Sequence, residues 1–249
     1  MSRNRIALIT GSGKKRVGYH IAKYFAKNKI DIAIHYHSSK EEAKEAVKEL
    51  MGFGIRAEAF SANLRVEAEI HRMVEEVYRT FGQIDILVNS AAIWESKPLE
   101  AVVADDVRKH FEINTLAVFL LTQQIGLKMV AQKEGGVIIQ LGDWAEIRPY
   151  PHYAAYFPSK GGVHTLTKSM AVELGMRNPK VRVNAILPGP VMLPDDLSLE
   201  EKTAVIQATL VKREGSPQHI ADAAWMLVNN DFITGVLLPV DGGRSIYSG

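Results

Sequence analysis

Cysteine is absent from the 249 residues, which excludes disulfide scaffolds, thiol nucleophiles and Cys-ligated zinc, and permits a reducing compartment. We expect the cytoplasm. An excess of one charge is also lacking: 30 Lys and Arg against 28 Asp and Glu leave a net charge of +2, and no basic block forms a nucleic-acid footprint. Nucleic acid is not an expected partner. No apolar run approaches the roughly 20 residues that span a bilayer. Arg3 and Arg5 precede only the short run 6–9 before Thr10-Gly11 breaks it, so that run reads as a strand rather than a leader, and no membrane association is expected. Linkers rich in Pro, Gly or Ser and solenoid-length repeats are missing too, so we expect one domain over 1–249.

What is present suits that expectation. Hydrophobic residues make up 47% and charged ones 23%, and a chain of this length can bury about three quarters of its unfolded surface. Short, mostly continuous apolar runs at 6–9, 30–35, 55–60, 84–88, 136–141, 181–187 and 236–240 alternate with longer helical patterns. Continuous rather than alternating runs suit parallel strands covered on both faces. The spacing predicts an α/β fold: a Rossmann-type doubly wound parallel sheet of about seven strands with helices on both faces. Segment 188–215 breaks the rhythm with Pro188, Pro190 and Pro194 and then an amphipathic stretch at 199–211, and is the expected lid. Stretch 111–130 is apolar nearly all round, so it has two surfaces to bury, and a homo-oligomer is expected.

Thr10-Gly-Ser-Gly-Lys-Lys-Arg-Val-Gly18 follows the first strand and opens a helix near Val17. Glycines there let backbone approach a pyrophosphate, and the helix terminus supplies N–H groups and positive dipole. An acid about 20 residues further on would receive the ribose hydroxyls of NAD. The second strand ends instead in His35-Tyr-His37-Ser38-Ser39, with Lys14, Lys15 and Arg16 within reach, so charge favours NADP(H). His35 and His37 share a strand face, but no third ligand is evident and no metal is expected. Asn89-Ser-Ala-Ala92 follows the fourth strand, where small residues allow a cofactor close.

Tyr-x-x-x-Lys occurs three times, as Tyr19/Lys23, Tyr36/Lys40 and Tyr156/Lys160. The first lies in a helix and the second begins at a strand end, so context selects the third, whose members share one helical face. A free phenol has a pKa near 10, and a nearby ammonium is expected to lower it and make Tyr156 a usable proton donor. Asp143 stands close enough in the chain to reach the same substrate atom.

These features together resemble the short-chain dehydrogenase/reductase family over essentially the whole length: the Thr10-Gly11 turn, Asn89-Ser-Ala-Ala92, Asn114, Tyr156 with Lys160, Pro188-Gly189, and Ile233-Thr-Gly235 before Val240-Asp-Gly-Gly243. The resemblance implies Tyr156 as proton donor, Lys160 holding the nicotinamide ribose, and Asn114 supporting a water that leads to Lys160. It further implies cofactor contacts from Gly11, Ser12, Arg16, Val17, His37, Ser38, Ser39, Asn63, Leu64, Asn89, Ala91, Tyr156, Lys160, Pro188 and Gly189, a small-molecule substrate, and a homotetramer. The family's usual serine, thirteen residues before the tyrosine, is replaced by Asp143. A protonated Asp143, or one sharing a proton with Tyr156, can serve a ring nitrogen.

Asp143, Arg16, His35-Tyr-His37-Ser38-Ser39 and Trp94 are similar to the pteridine reductase branch, which implies NADPH and a flat pterin ring between the nicotinamide and Trp94, held by stacking. The glycine turn is one residue longer than in that branch, Asn63 stands for an aspartate near adenine, and Ser90 for a second asparagine. The expected function is therefore hydride transfer to a C=N bond of a dihydropterin-like ring, with Tyr156 and Asp143 supplying the proton. Alternatives are a carbonyl reductase of the 3-oxoacyl-carrier-protein type, where Lys128, Lys133 and Arg177 would meet an acidic carrier, and a non-catalytic nucleotide sensor. His20, His71, His110, His152, His164 and His219 suggest no chemistry.

Overall fold

Seven short apolar segments become strands in the computed structural model, which describes residues 4–247: β1 (Ile6–Ile9), β2 (Asp31–Tyr36), β3 (Ala57–Ser61), β4 (Ile86–Asn89), β5 (Gly136–Leu141), β6 (Val181–Pro188) and β7 (Leu237–Val240). Arg3 lies outside the described residues. The strands form one sheet in the order β3-β2-β1-β4-β5-β6-β7, every pair parallel. Strand order reverses between β1 and β4, so a crevice opens beyond their carboxyl ends.

The continuous apolar runs follow from cores on both faces. In β1, Ala7 and Ile9 pack with Tyr19 and Phe25 on one side, while Ile6 and Leu8 pack with Met73 and Ile125 on the other. The first side is covered by α1 (Val17–Lys27), α2 (Lys40–Met51) and α8 (Pro217–Asn229); the second by α3 (Glu67–Phe81), α5 (Ala117–Val130) and α6 (Tyr156–Gly175). Three strands begin later than the apolar runs predict because helix-ending turns claim the first residues; before β4 the turn is Gly82 at φ 87°, whose N–H donates to the Tyr78 carbonyl at the end of α3. Ile30 closes α1 by donating to the Phe25 carbonyl after Lys29 at φ 63°, and Gly54 at φ 74° precedes Ile55. Likewise Gly235 at φ 74° keeps Val236 out of β7.

The apolar stretch 111–130 belongs to a longer helical run. It starts with α4 (Ala104–Phe111), passes through a π-helical turn (Glu112–Leu116) and continues as α5. By length and composition this run can cross a bilayer, with one 18-residue window at mean hydropathy 1.3, contrary to the expectation that nothing approaches a span. Half of that window is buried in protein, and within the run Asn114 donates to Ser159 and Thr122 accepts from Asn89, which is how a core helix behaves. Leu116 and Leu127 remain about half exposed, so the second apolar surface is only partly covered. Between β6 and α8 runs segment 189–216 with α7 (Leu199–Gln207), whose Ser198 and Glu201 cap it reciprocally. The helix stops short of Val211 because Thr209 turns inward and Leu210 N donates to the Gly242 carbonyl at 2.9 Å.

Candidate active site

Close approach governs the glycine turn. A Cβ on Gly11, which holds φ 65°, would stand 2.8 Å from Ala91 Cα, and one on Gly13 would stand 2.7 Å from Tyr36 Cβ. Thr10 Oγ1 accepts from Ser90 N at 3.0 Å and Ala91 N at 3.1 Å, tying the turn to the end of β4. Ser12 is buried and donates to the Ile9 carbonyl at 2.6 Å, and Val17 opens α1 with Arg16 as its cap residue. His35 is the turn's support: Nδ1 accepts from Gly11 N at 3.1 Å while Nε2 lies 3.0 Å from the Ala62 carbonyl. Burial draws its pKa down to about 4, a neutral ring with one donor and one acceptor nitrogen. Among the described residues no group of three or more His, Asp or Glu is placed to hold a metal.

Around this turn Lys14, Lys15, Arg16, His37 and Ser38 are exposed, while Ser39 is buried with its Oγ against the Gly13 position. Lys15 is partly engaged by Glu49, 3.3 Å away. No carboxylate ends β2. Asn63 Oδ1 accepts from Arg65 N at 3.0 Å within its own loop, and the Leu64 side chain joins the core. Asn89 points inward, donating to Gln140 at 2.8 Å and Thr122 at 3.2 Å, while its Oδ1 is buried without a hydrogen-bond partner. Pro188 ends β6, and a Cβ on Gly189 would lie 2.4 Å from Asp241 Cα. A backbone cradle stripped of side chains, with cations at one rim, fits a dinucleotide phosphate chain.

The chemical side is built from β5, the turn after it, and α6. Asp143 begins the short turn Trp144–Glu146: Oδ1 accepts from Ala145 N at 2.8 Å, and Oδ2 accepts from the Tyr156 hydroxyl at 2.6 Å. Lys160, one helical turn beyond Tyr156 and buried, donates to the Leu141 carbonyl at 2.7 Å. Asn114 Nδ2 donates to the Ile93 carbonyl and to Ser159 Oγ, both at 3.0 Å, and its Oδ1 accepts from Ile93 N at 2.9 Å. α6 and the π turn come close because Gly162 has no Cβ, which would stand 2.8 Å from Thr115; a helix-interior glycine costs about 1 kcal/mol relative to Ala.

The ionisation of Tyr156 departs from the expectation that an ammonium lowers it. Burial, and then the charge and hydrogen bond of Asp143, hold the phenol well above its ordinary value. The Lys160 ammonium is turned to the Leu141 carbonyl, and burial draws it down to about 8, with Asp143 offsetting part of that shift.

Trp94 is 46% exposed and stacks on Tyr153, centroids 4.8 Å apart and planes at 8°. Tyr153 in turn meets Tyr150 and Tyr156 edge-on. Tyr150 and Tyr153 go unnoticed in the sequence, where they look like turn residues among prolines; only the fold shows them lining one wall with Trp94. The pair of Glu146 and His164 was equally invisible, being eighteen positions apart without a periodic relation.

Residues 12–245 match the family described as Enoyl-(Acyl carrier protein) reductase. The chain belongs to the short-chain dehydrogenase/reductase family. A 3beta-hydroxysteroid dehydrogenase 1 from Eggerthella lenta is 30% identical, the match covering 99% of this chain and 96% of the relative. A 3-oxoacyl-(acyl-carrier-protein) reductase from Staphylococcus epidermidis is 31% identical over 96% of this chain and 98% of its own. Acetoin dehydrogenase from Enterobacter cloacae superposes with a TM-score of 0.89 at 31% identity, covering 100% of this chain and 98% of that one. This short-chain dehydrogenase/reductase is therefore an oxidoreductase of a family that works with nicotinamide dinucleotides.

Proposed function

We propose that the protein interconverts a carbonyl group and an alcohol on a free small molecule, using NADP(H). The observation that carries this reading is the 2.6 Å hydrogen bond from the Tyr156 hydroxyl to Asp143, at the mouth of the crevice and one turn from Lys160. Bound NADPH supplies the hydride to the carbonyl carbon. Tyr156 donates the proton that the carbonyl oxygen needs as it takes up the π electron pair, Lys160 holds the nicotinamide ribose, and Asn114 braces α6 through Ser159. Reduction therefore requires the Asp143–Tyr156 pair to hold two protons, whereas oxidation starts from the pair as it stands, with Asp143 an acceptor. Lower pH then favours reduction and higher pH favours oxidation.

NADP(H) is supported by the missing carboxylate at the end of β2 and by the exposed Lys14, Arg16, His37 and Ser38. The relatives' names speak of an oxoacyl group, a hydroxysteroid and acetoin, which supports C=O over C=N. A carrier-bound substrate is disfavoured: Lys128 is paired with Glu75 and Arg177 with Glu173, and the 128–133 stretch lies by the start of β5, opposite the crevice. Segment 188–215 is the proposed lid. A homotetramer is the proposed assembly, supported by exposed Leu116, Val172 and Met176, with light scattering as its test.

Asp143 together with the open face of Trp94 favours a second reading, reduction of a C=N bond in a dihydropterin-like ring. NADPH oxidation measured with a vicinal diketone, a 3-oxoacyl thioester and a dihydropterin, in wild type and Asp143→Ser, decides between them. Turnover of the diketone that is lowered but not abolished in Asp143→Ser is expected, because a serine hydroxyl can still bond the carbonyl oxygen while the proton shared with Tyr156 is lost. Turnover of the dihydropterin alone, abolished by Asp143→Ser, would replace the first reading with the second. Nucleotide binding without turnover on any of them would leave only a sensor.

A further inference from the structure

The turn that carries Asp143 is fastened to α6 at a second point. Glu146, the last residue of that turn, brings Oε2 into direct contact with His164 Nδ1, two helical turns beyond Tyr156. The two side chains are 32% and 8% exposed. Room for the contact is built into α6, since a Cβ on Gly161 would stand 3.3 Å from Glu146 Oε1. On the other edge of the imidazole, Nε2 is buried without a hydrogen-bond partner, and a Cβ on Gly142 would stand 2.9 Å from it. The ring is therefore wedged between Gly142 and Glu146, on either side of Asp143. A buried imidazole with one bare nitrogen is costly unless its place serves something.

We infer that Glu146 and His164 are a positioning pair that holds Asp143 in line with Tyr156. The turn 142–146 then meets α6 at two points, Asp143 on Tyr156 and Glu146 on His164, and with both made it has no freedom to rotate the Asp143 carboxylate away from the phenol. Four charged groups act on His164: Glu146 and Asp143 from the turn favour its protonation, Lys160 and Lys168 from its own helix oppose it. Burial outweighs the rest and lowers its pKa, leaving a neutral ring whose Nδ1 faces the Glu146 carboxylate. This rests on the reading of Asp143 and Tyr156 as the proton-handling pair.

A double-mutant cycle on the substrate found to turn over tests it. Because a misplacement near 1 Å costs up to about a hundredfold, His164→Leu and Glu146→Ala should each lower kcat about ten- to a hundredfold with little change in KM. In the Asp143→Ser background the same substitutions should cost less than about twofold, because the group they position is gone. Glu146→Gln, which keeps an acceptor for Nδ1–H, should restore most of the activity; it sits at a half-exposed position and carries the test if His164→Leu fails to fold. In 13Cζ-tyrosine NMR, the Tyr156 ionisation should move down toward the ordinary phenol range in Glu146→Ala as Asp143 retreats. Equal losses in both backgrounds, or an unmoved Tyr156 ionisation, would overturn the inference and leave the proton-handling pair intact. An Asp143→Ser enzyme as active as wild type would remove both.

Discussion

The glycine turn after β1 and the 143–160 stretch after β5 stand at the same edge of the sheet and are built on opposite terms. The first works by leaving side chains out: Gly11 and Gly13 pack where a Cβ would stand within 2.8 Å of Ala91 or Tyr36. Its one buried ionisable group, His35, is kept neutral and only supports backbone. The second works by keeping ionisable groups in: Tyr156, Lys160 and His164 are all under 9% exposed, with Asp143 hydrogen-bonded to Tyr156 and Glu146 in contact with His164. A titratable group buried alone is switched off, whereas several buried together share protons, and that difference is what separates scaffold from chemistry here.

Removing the phenol should break the comparison most sharply. Tyr156→Phe is expected to lower kcat about a thousandfold, in the range for loss of a positioned proton donor, while nucleotide affinity at the glycine turn stays within about twofold. Steady-state turnover and fluorescence titration with NADPH measure the two effects. Equal loss of both would mean that the regions are not separate.

On the scaffold side the largest effect is in stability. His35 folds with its pKa lowered to about 4 from an ordinary 6.5, so the unfolded chain takes up a proton that the folded chain refuses. Its contribution is fully present above pH 6.5 and is lost as pH falls toward 4, a loss of about 3 kcal/mol across that window. His35→Asn should flatten that part of the stability profile in urea unfolding at pH 7, 6, 5 and 4.5. A wild type and variant with parallel profiles would show that His35 titrates normally.

Gly11→Ala should come next, at about 2 kcal/mol, because it forces an L side chain to φ 65° and a Cβ against Ala91. Both the unfolding midpoint and NADPH affinity should fall. At Gly82, which also has positive φ but has nothing within 4 Å of a Cβ, the same substitution should lower only the midpoint.

The scaffold was the more legible region in the sequence. Continuous apolar runs report burial on both faces, and β1 and β5 follow their runs from end to end. The glycine turn is a local pattern, as are Tyr156 and Lys160, which one helical turn brings together. Tertiary placement is what could not be read. Trp94 reaches Tyr153 only when the loop after β4 folds over the start of α6. The rise in the Tyr156 pKa depends on burial that no spacing reports, so the expected lowering by Lys160 failed. Asp143 was the exception, legible both as an oddity and as a group that could share a proton with Tyr156, and the 2.6 Å hydrogen bond bears that pairing out.

The smallest effect sharpens the scaffold's own edge. Arg16 and Lys14 are exposed with no carboxylate bound to them among the described residues, while Lys15 is 3.3 Å from Glu49 and so already partly neutralised. If the 2′-phosphate of NADPH is read by free positive charge, Arg16→Ala should weaken NADPH binding about tenfold, or about 1.4 kcal/mol, and leave NADH unchanged. Lys15→Ala should cost less, since the variant surrenders a charge that Glu49 has already claimed. Salt separates this from a packing effect: the Debye length falls from about 30 Å at 0.01 M to about 10 Å at 0.1 M. The gap between wild type and Arg16→Ala for NADPH should therefore narrow as salt rises. A gap that salt does not change would place the loss in the shape of the turn, where the glycines rather than the cations choose the cofactor.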